Sequence, residues 1–298
     1  MFMRIVLGFV LCLLGMSCQQ KKSVPSDSDE FLPSRRLAEL TDKKLAEVSG
    51  LAMSVANPGL FWTHNDSGNP AIVYLVDENL KVRLSCRLEG VRNRDWEDIA
   101  VGPGPDKSKR YVYVADIGDN DARHKVKRIY RFEEPRLTDE DTEIKITSFD
   151  TITFGLEDGM KDTETIMIHP RTNDIYLVSK REKPVYVYQL KYPFGDDTLT
   201  ARKVVSLPLT QIVAGNFSPD GQEVVMKNYD NIYYWNLAGK PLEEALKETP
   251  DVLNYTDEPQ GEAIAFNLDG SGFYTLSEKI RGEKTYLYYY ARKKGSTR

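Results

Sequence analysis

Three acidic residues recur in one local context. Glu97, Glu164 and Glu262 each stand two places before an apolar residue, in Asp95-Trp96-Glu97-Asp98-Ile99, Asp162-Thr163-Glu164-Thr165-Ile166 and Gln260-Gly261-Glu262-Ala263-Ile264. Two looser copies put Ser49 and Gly215 at the same place, in Glu47-Val48-Ser49-Gly50-Leu51 and Ala214-Gly215-Asn216-Phe217. The five positions are spaced by 48, 67, 51 and 47 residues. If each copy starts an equivalent strand around one axis, the three carboxylates converge. Confined together they cannot all stay ionised and unpaired; they need a cation, basic partners or shared protons.

Four uses of such carboxylates stay open at this stage. They can cap backbone N–H groups of a neighbouring strand and only hold register. They can ligate Ca²⁺, a hard cation that takes 6–8 oxygens, making Glu97, Glu164 and Glu262 the metal ligands. Two of them can act as acid and base or nucleophile in a hydrolase working on a glycan or phosphoester, with Glu97, Glu164, Glu262 and His64 as the catalytic candidates. They can also bind a polar ligand directly.

A second set of polar residues follows the second strand of each copy. It contains Thr63-His64-Asn65-Asp66-Ser67-Gly68, Asp116-Ile117-Gly118-Asp119-Asn120, Ser179-Lys180-Arg181-Glu182, Lys227-Asn228-Tyr229-Asp230 and Ser277-Glu278-Lys279. Asn, Asp and Gly suit turns. Lys180, Arg181, Lys227 and Lys279 exceed what a turn needs and can neutralise the glutamates or hold an anionic ligand. With Asn65, Asp66 and Asp116 they form the candidate ligand-binding set. Trp96, beside Glu97, reads as packing between sheets.

The elements that must position these groups are short strands. Runs such as Ile72-Val73-Tyr74-Leu75-Val76, Tyr111-Val112-Tyr113-Val114 and Ile232-Tyr233-Tyr234-Trp235 are β-branched and aromatic, and turn residues separate them. Residues 241–247 form the one stretch with helical character. Repeats of about 40–50 residues in strand-rich sequence predict an all-β five-bladed β-propeller with four antiparallel strands per blade. A six-bladed ring would need a blade hidden in the 67-residue step, where only one outer strand, around 144–154, is apparent. The chain ends after the third strand of the last unit, so residues 36–40 are expected to supply its outer strand and close the ring.

Residues 1–17 read as a secretion signal: Arg4, an apolar run over 5–14 and a small-residue exit before Cys18. The pattern resembles the lipoprotein signal, which implies that Cys18 is lipidated and that the membrane is a partner through that anchor. Residues 18–34 are polar and read as a flexible tether. The run over 26–30 is similar to acidic surface-export signals of Gram-negative lipoproteins, so an exported outer-membrane lipoprotein, periplasmic or surface-facing, is expected. Residues 35–298 form the single domain. Net charge is −5, and no basic face is in view, which argues against nucleic acid as a partner. Of three Cys, only Cys86 would remain as a free thiol, so stability must come from the core.

With motif and loops together, the chain resembles exported bacterial propellers of the phytase-like esterase and SdiA-regulated type. Their blade starts read Glu-Gly-Ile or Ser-Gly-Leu, followed by an Asp- or Asn-rich loop. Ser49-Gly50-Leu51, Glu97-Asp98-Ile99 and Glu262-Ala263-Ile264 stand in those places, and the similarity spans residues 45 to 290. The resemblance implies Ca²⁺ as a bound cofactor and a small polar ligand, glycan or protein as partner. The chain departs from it with five apparent blades where that group has six. Five blades and three central acidic residues are also similar to propeller glycosidases, although those combine Asp with Glu. Phosphate-loop, metalloprotease and serine-elbow motifs are lacking. Together these readings give a cell-envelope protein that binds a cation and a polar ligand at a channel mouth, with the hydrolase as the alternative.

Overall fold

The computed structural model describes residues 30–140 and 142–295. The expected signal sequence, Cys18 and the expected tether as far as residue 29 lie outside the described residues. The fold is all-β, and its strands form antiparallel meanders in chain order. A first strand, β1 (Arg35–Glu39), precedes them. The first meander is β2 (Val48–Met53), β3 (Phe61–Asn65), β4 (Ile72–Val76) and β5 (Val82–Leu88). The second is β6 (Trp96–Gly102), β7 (Tyr111–Asp116) and β8 (Lys127–Glu133), followed by β9 (Glu143–Ile146) and β10 (Asp150–Leu156). The third is β11 (Thr163–Ile168), β12 (Ile175–Ser179), β13 (Val185–Leu190) and β14 (Leu199–Leu207). The fourth is β15 (Ala214–Phe217), β16 (Glu223–Lys227), β17 (Ile232–Asn236), the short helix α1 (Leu242–Ala245) and β18 (Asp251–Leu253). The fifth is β19 (Gly261–Phe266), β20 (Gly272–Ser277) and β21 (Tyr286–Ala291).

All five motif copies fall on first strands, and those strands touch in a closed cycle: β2–β6–β11–β15–β19 and back to β2. Side chains alternate across a strand with period two, so each first strand feeds two cores. Ala52 of β2 packs with Trp96, Ile99 and Val112 of the second meander, while Leu51 and Met53 pack with Ala263, Ala265 and Tyr274 of the fifth. The other first strands split likewise, and five apolar clusters lie between successive meanders. Trp96 is fully buried in one of them, as its packing role requires.

Strand β1 pairs antiparallel with β21 and completes the last sheet, one residue earlier than residues 36–40. Residues 30–34, expected as part of the tether, already belong to the fold. Phe31 is buried and sits edge-on to Phe273 at 4.9 Å and to Tyr234 at 5.6 Å. An aromatic ring gains too much by burial to stay with its acidic neighbours in water.

The 67-residue step also differs from its reading as one outer strand over 144–154. That stretch is two strands in two sheets. β9 pairs parallel with β5 of the first meander. β10 is the outer strand of the second meander, antiparallel to β8, and pairs parallel with β14 of the third. Each covers an edge that would otherwise offer unpaired backbone groups.

Candidate functional site

The glutamates owe their direction to a repeated backbone irregularity. In β6, Trp96 pairs with Asp116 and Asp98 with Ala115, leaving Glu97 as an extra residue. Glu164 is extra in β11 and Glu262 in β19 by the same register shift. A bulge of this kind breaks the alternation and re-aims one side chain. The equivalent residue in β2 is Gly50, not Ser49, and β15 pairs without a shift. Gly50 has φ +80, and a Cβ there would lie 2.8 Å from the Ile99 nitrogen, so no side chain fits. Ser49 ties the strands together instead, donating to the Glu97 carbonyl at 2.6 Å.

Glu97 and Glu164 lie on neighbouring strands and come into contact; Glu262 lies outside that contact, although its charge acts on Glu164 and Asp66. Two overlapping groups of carboxylates have oxygens within 4.8 Å of one another: Asp66, Asp95 and Glu97, and Glu97, Asp162 and Glu164. Glu97 belongs to both. Its carboxyl is pushed well above the usual range, first by burial and then by the charge and hydrogen bonding of Glu164 beside it. Glu164 is raised to about 7, burial outweighing the Lys180 ammonium 2.9 Å away. Burial lifts Asp66 to about 6 and also raises Asp95. Glu262 instead accepts from the Tyr229 hydroxyl at 2.7 Å and from Gln260 at 3.3 Å.

Basic partners are fewer than acids. Arg181 donates through Nε to Asp162 at 2.7 Å and through a second nitrogen to Asn120, and Asp162 also accepts the Asp119 N–H at 2.9 Å. Among the described residues the five carboxylates therefore touch two cations, Lys180 and Arg181, while the buried Lys127 acts on Asp162 and Glu97 from further away. Space for the acids comes from Gly118: a Cβ there would fall 2.0 Å from Glu97 Oε1 and 2.5 Å from the Asp95 carboxyl carbon.

The remaining candidates take other places. His64 lies within β3 rather than in a loop, fully buried. Its Nδ1 faces the Asn65 carbonyl at 3.0 Å, its ring stands edge-on to Trp96, and burial lowers it to about 4, so it is a neutral packed ring. Asn65 binds backbone, accepting from Glu47 N and donating to Lys44 O. Asp116 is buried against Arg94, 3.4 Å away, and accepts from Asp95 N. Lys227 is fully buried, donates to the Gly261 carbonyl and lies 3.8 Å from Glu258, which Tyr255 and Thr275 also bind. Lys279 is exposed, its backbone N–H donating to Ala46 O. Of the basic candidates, only Lys180 and Arg181 reach the carboxylate cluster.

Sequence reasoning passed over Asp95, Asp98 and Asp162. Asp98 performs the backbone capping considered for the glutamates: it accepts Ile99 N at 2.8 Å and, across to β11, Ile166 N at 2.9 Å. Asn216 does the same between β15 and β19, accepting Phe266 N at 3.0 Å. The signal for Asp98 was its position directly after Glu97 in the repeated motif. For Asp95 and Asp162 it was the acidic residue two places before the glutamate.

No protein-family model matches the chain, and no curated protein matches it.

Proposed function

We propose that this chain is a five-bladed β-propeller, exported and lipid-anchored through Cys18, that binds Ca²⁺ and a polar ligand where its first strands begin. The carrying observation is the doubly shared Glu97: five carboxylates meet around it against two contacting cationic side chains, and burial together with Glu164 raises its carboxyl well above the usual range, a cost that a hard cation would relieve. The donor set is all carboxylate oxygen, which suits Ca²⁺ better than metals preferring nitrogen or sulfur. Glu97 would hold the ion, with Asp66 and Asp95 in one group or Asp162 and Glu164 in the other. Tyr229, Lys180 and Arg181, which bind Glu262, Glu164 and Asp162, would orient the polar ligand. Direct contact between Glu97 and Glu164 favours this reading over glycoside hydrolysis, which separates its two carboxyl groups by about 5–9.5 Å.

Because ligands must be deprotonated, binding should release protons. Calorimetric titration of chelator-treated protein with Ca²⁺ in two buffers of different ionisation enthalpy should show about one proton released per ion near pH 7. A titration without heat, in either buffer, would remove the cation from the proposal. For the anchor, Cys18→Ala should leave the membrane fraction; full retention of that variant would remove the lipid from it.

A further inference from the structure

The first strands also share their other ends. There, about one strand length from the carboxylates, roughly 17–20 Å, lies a cavity of about 300 Å³. Every first strand contributes to it: Met53 from β2, Val101 from β6, Ile168 from β11, Phe217 from β15 and Phe266 from β19. Met53, Ile168, Phe217 and Phe266 are buried. At its rim Val55 and Leu268 are 39% and 36% exposed, two of the few large apolar side chains that face solvent among the described residues. Asn216 and Ser218 also line it, but the Asn216 carbonyl holds Phe266 N, and the Ser218 hydroxyl donates to Asp220 and accepts backbone N–H groups of its own turn. One lining residue is charged: Arg110, exposed at the rim, with one guanidinium nitrogen on the Lys109 carbonyl at 3.0 Å.

The side chains around this cavity are mostly apolar, with backbone polar groups between them, and its one charged side chain is Arg110; apolar side chains hold the body of a ligand and a charged group orients its head. We infer that this end of the channel binds a small amphiphile: a medium-length apolar chain or one aromatic ring carrying a single anionic head group, the chain among Met53, Ile168, Phe217 and Phe266 and the head on Arg110. The volume lies at the lower end of known ligand sites, which excludes bulky ligands. A cationic head is disfavoured by Arg110. The acidic mouth at the opposite end cannot take an anion of this kind unaided, so the site is independent of the proposed cation.

Octanoate is the probe, with octylamine and acetate as controls, titrated calorimetrically into the full chain. Octanoate should bind with a Kd below about 1 mM, octylamine at least about tenfold more weakly and acetate not measurably. Arg110→Glu, at an exposed position, should weaken octanoate by about tenfold or more and abolish the preference over octylamine. Val101→Trp, which fills the cavity from a half-buried position, should remove binding of both. Thermal melts of both variants check that they fold. No octanoate binding to the parent, or equal binding by parent, Arg110→Glu and Val101→Trp when these fold, overturns the inference.

Discussion

Deleting residues 31–44 should abolish the cooperative melt of the whole protein, whereas deleting 19–29 should leave its midpoint unchanged. The longer cut removes β1, and with it the antiparallel partner of β21. It also removes Phe31 and Leu40, 4% and 1% exposed, and the Arg36 guanidinium that sits 4.0 Å from the centre of the Tyr286 ring. Truncating one large buried apolar residue costs about 2–5 kcal/mol. Two such losses, plus an exposed strand edge, rival the roughly 5–15 kcal/mol that holds a domain together. The effect should spread beyond the last sheet. Phe31 packs on Tyr234 of the fourth meander, and Leu40 shares a cluster with β2, β3 and β4 of the first. Circular dichroism on heating reads the result. Equal midpoints for the two deletions would show that the N-terminal segment is an ornament on a ring already closed without it.

The pattern of short strands, the all-β class and the placing of motif copies on first strands were legible, because they rest on local composition and on period-two alternation. What escaped depended on register and on neighbours. Ser49 looked equivalent to the glutamates when aligned on the following apolar residue, but an inserted residue leaves no mark on composition, and the bulge falls on Gly50. Glu262 looked equivalent in space as well as in sequence. It stands on β19, which touches β15 and β2, and neither of those offers a carboxylate at the bulge position; Glu97 and Glu164 meet because β6 and β11 touch. The split between β9 and β10 is set by parallel pairing to strands far away in sequence, which no local signal encodes. Lys180 and Lys227 sit at similar points of their repeats. Only the fold shows that one meets Glu164 and the other is sealed against Glu258.

That geometry also selects the substitution that tests the cation. Glu164→Gln is ambiguous, because it removes the charge opposite the Lys180 ammonium, 2.9 Å away, whether or not metal binds. A hydrogen bond to a charged group contributes about 1.5–3 kcal/mol, so weakening this one shifts stability by itself. Glu97→Gln is cleaner. Burial and Glu164 favour the protonated form of Glu97, and a glutamine amide keeps both the shape and a hydrogen-bond donor. In chelator near pH 7 the variant should therefore match the parent or exceed it. The sign follows from linkage. Above about pH 4.5 the unfolded chain has lost the Glu97 proton while the folded chain keeps it, so parent stability falls as pH rises, by up to about 1.4 kcal/mol per pH unit for one proton. Glutamine removes that slope, and the advantage of the variant should widen from pH 5 toward pH 7. Ca²⁺ should reverse the order. At a concentration about 100-fold above its Kd the ion adds about 2.7 kcal/mol to the parent. Glu97→Gln, which gives up the carboxylate common to both groups, should lose most of that gain. Melts of parent and variant in chelator and in excess Ca²⁺, at several pH values, read all of these at once. A parent indifferent to Ca²⁺, or a variant that keeps the full gain, would leave the raised carboxyl as an architectural device and end the cation reading.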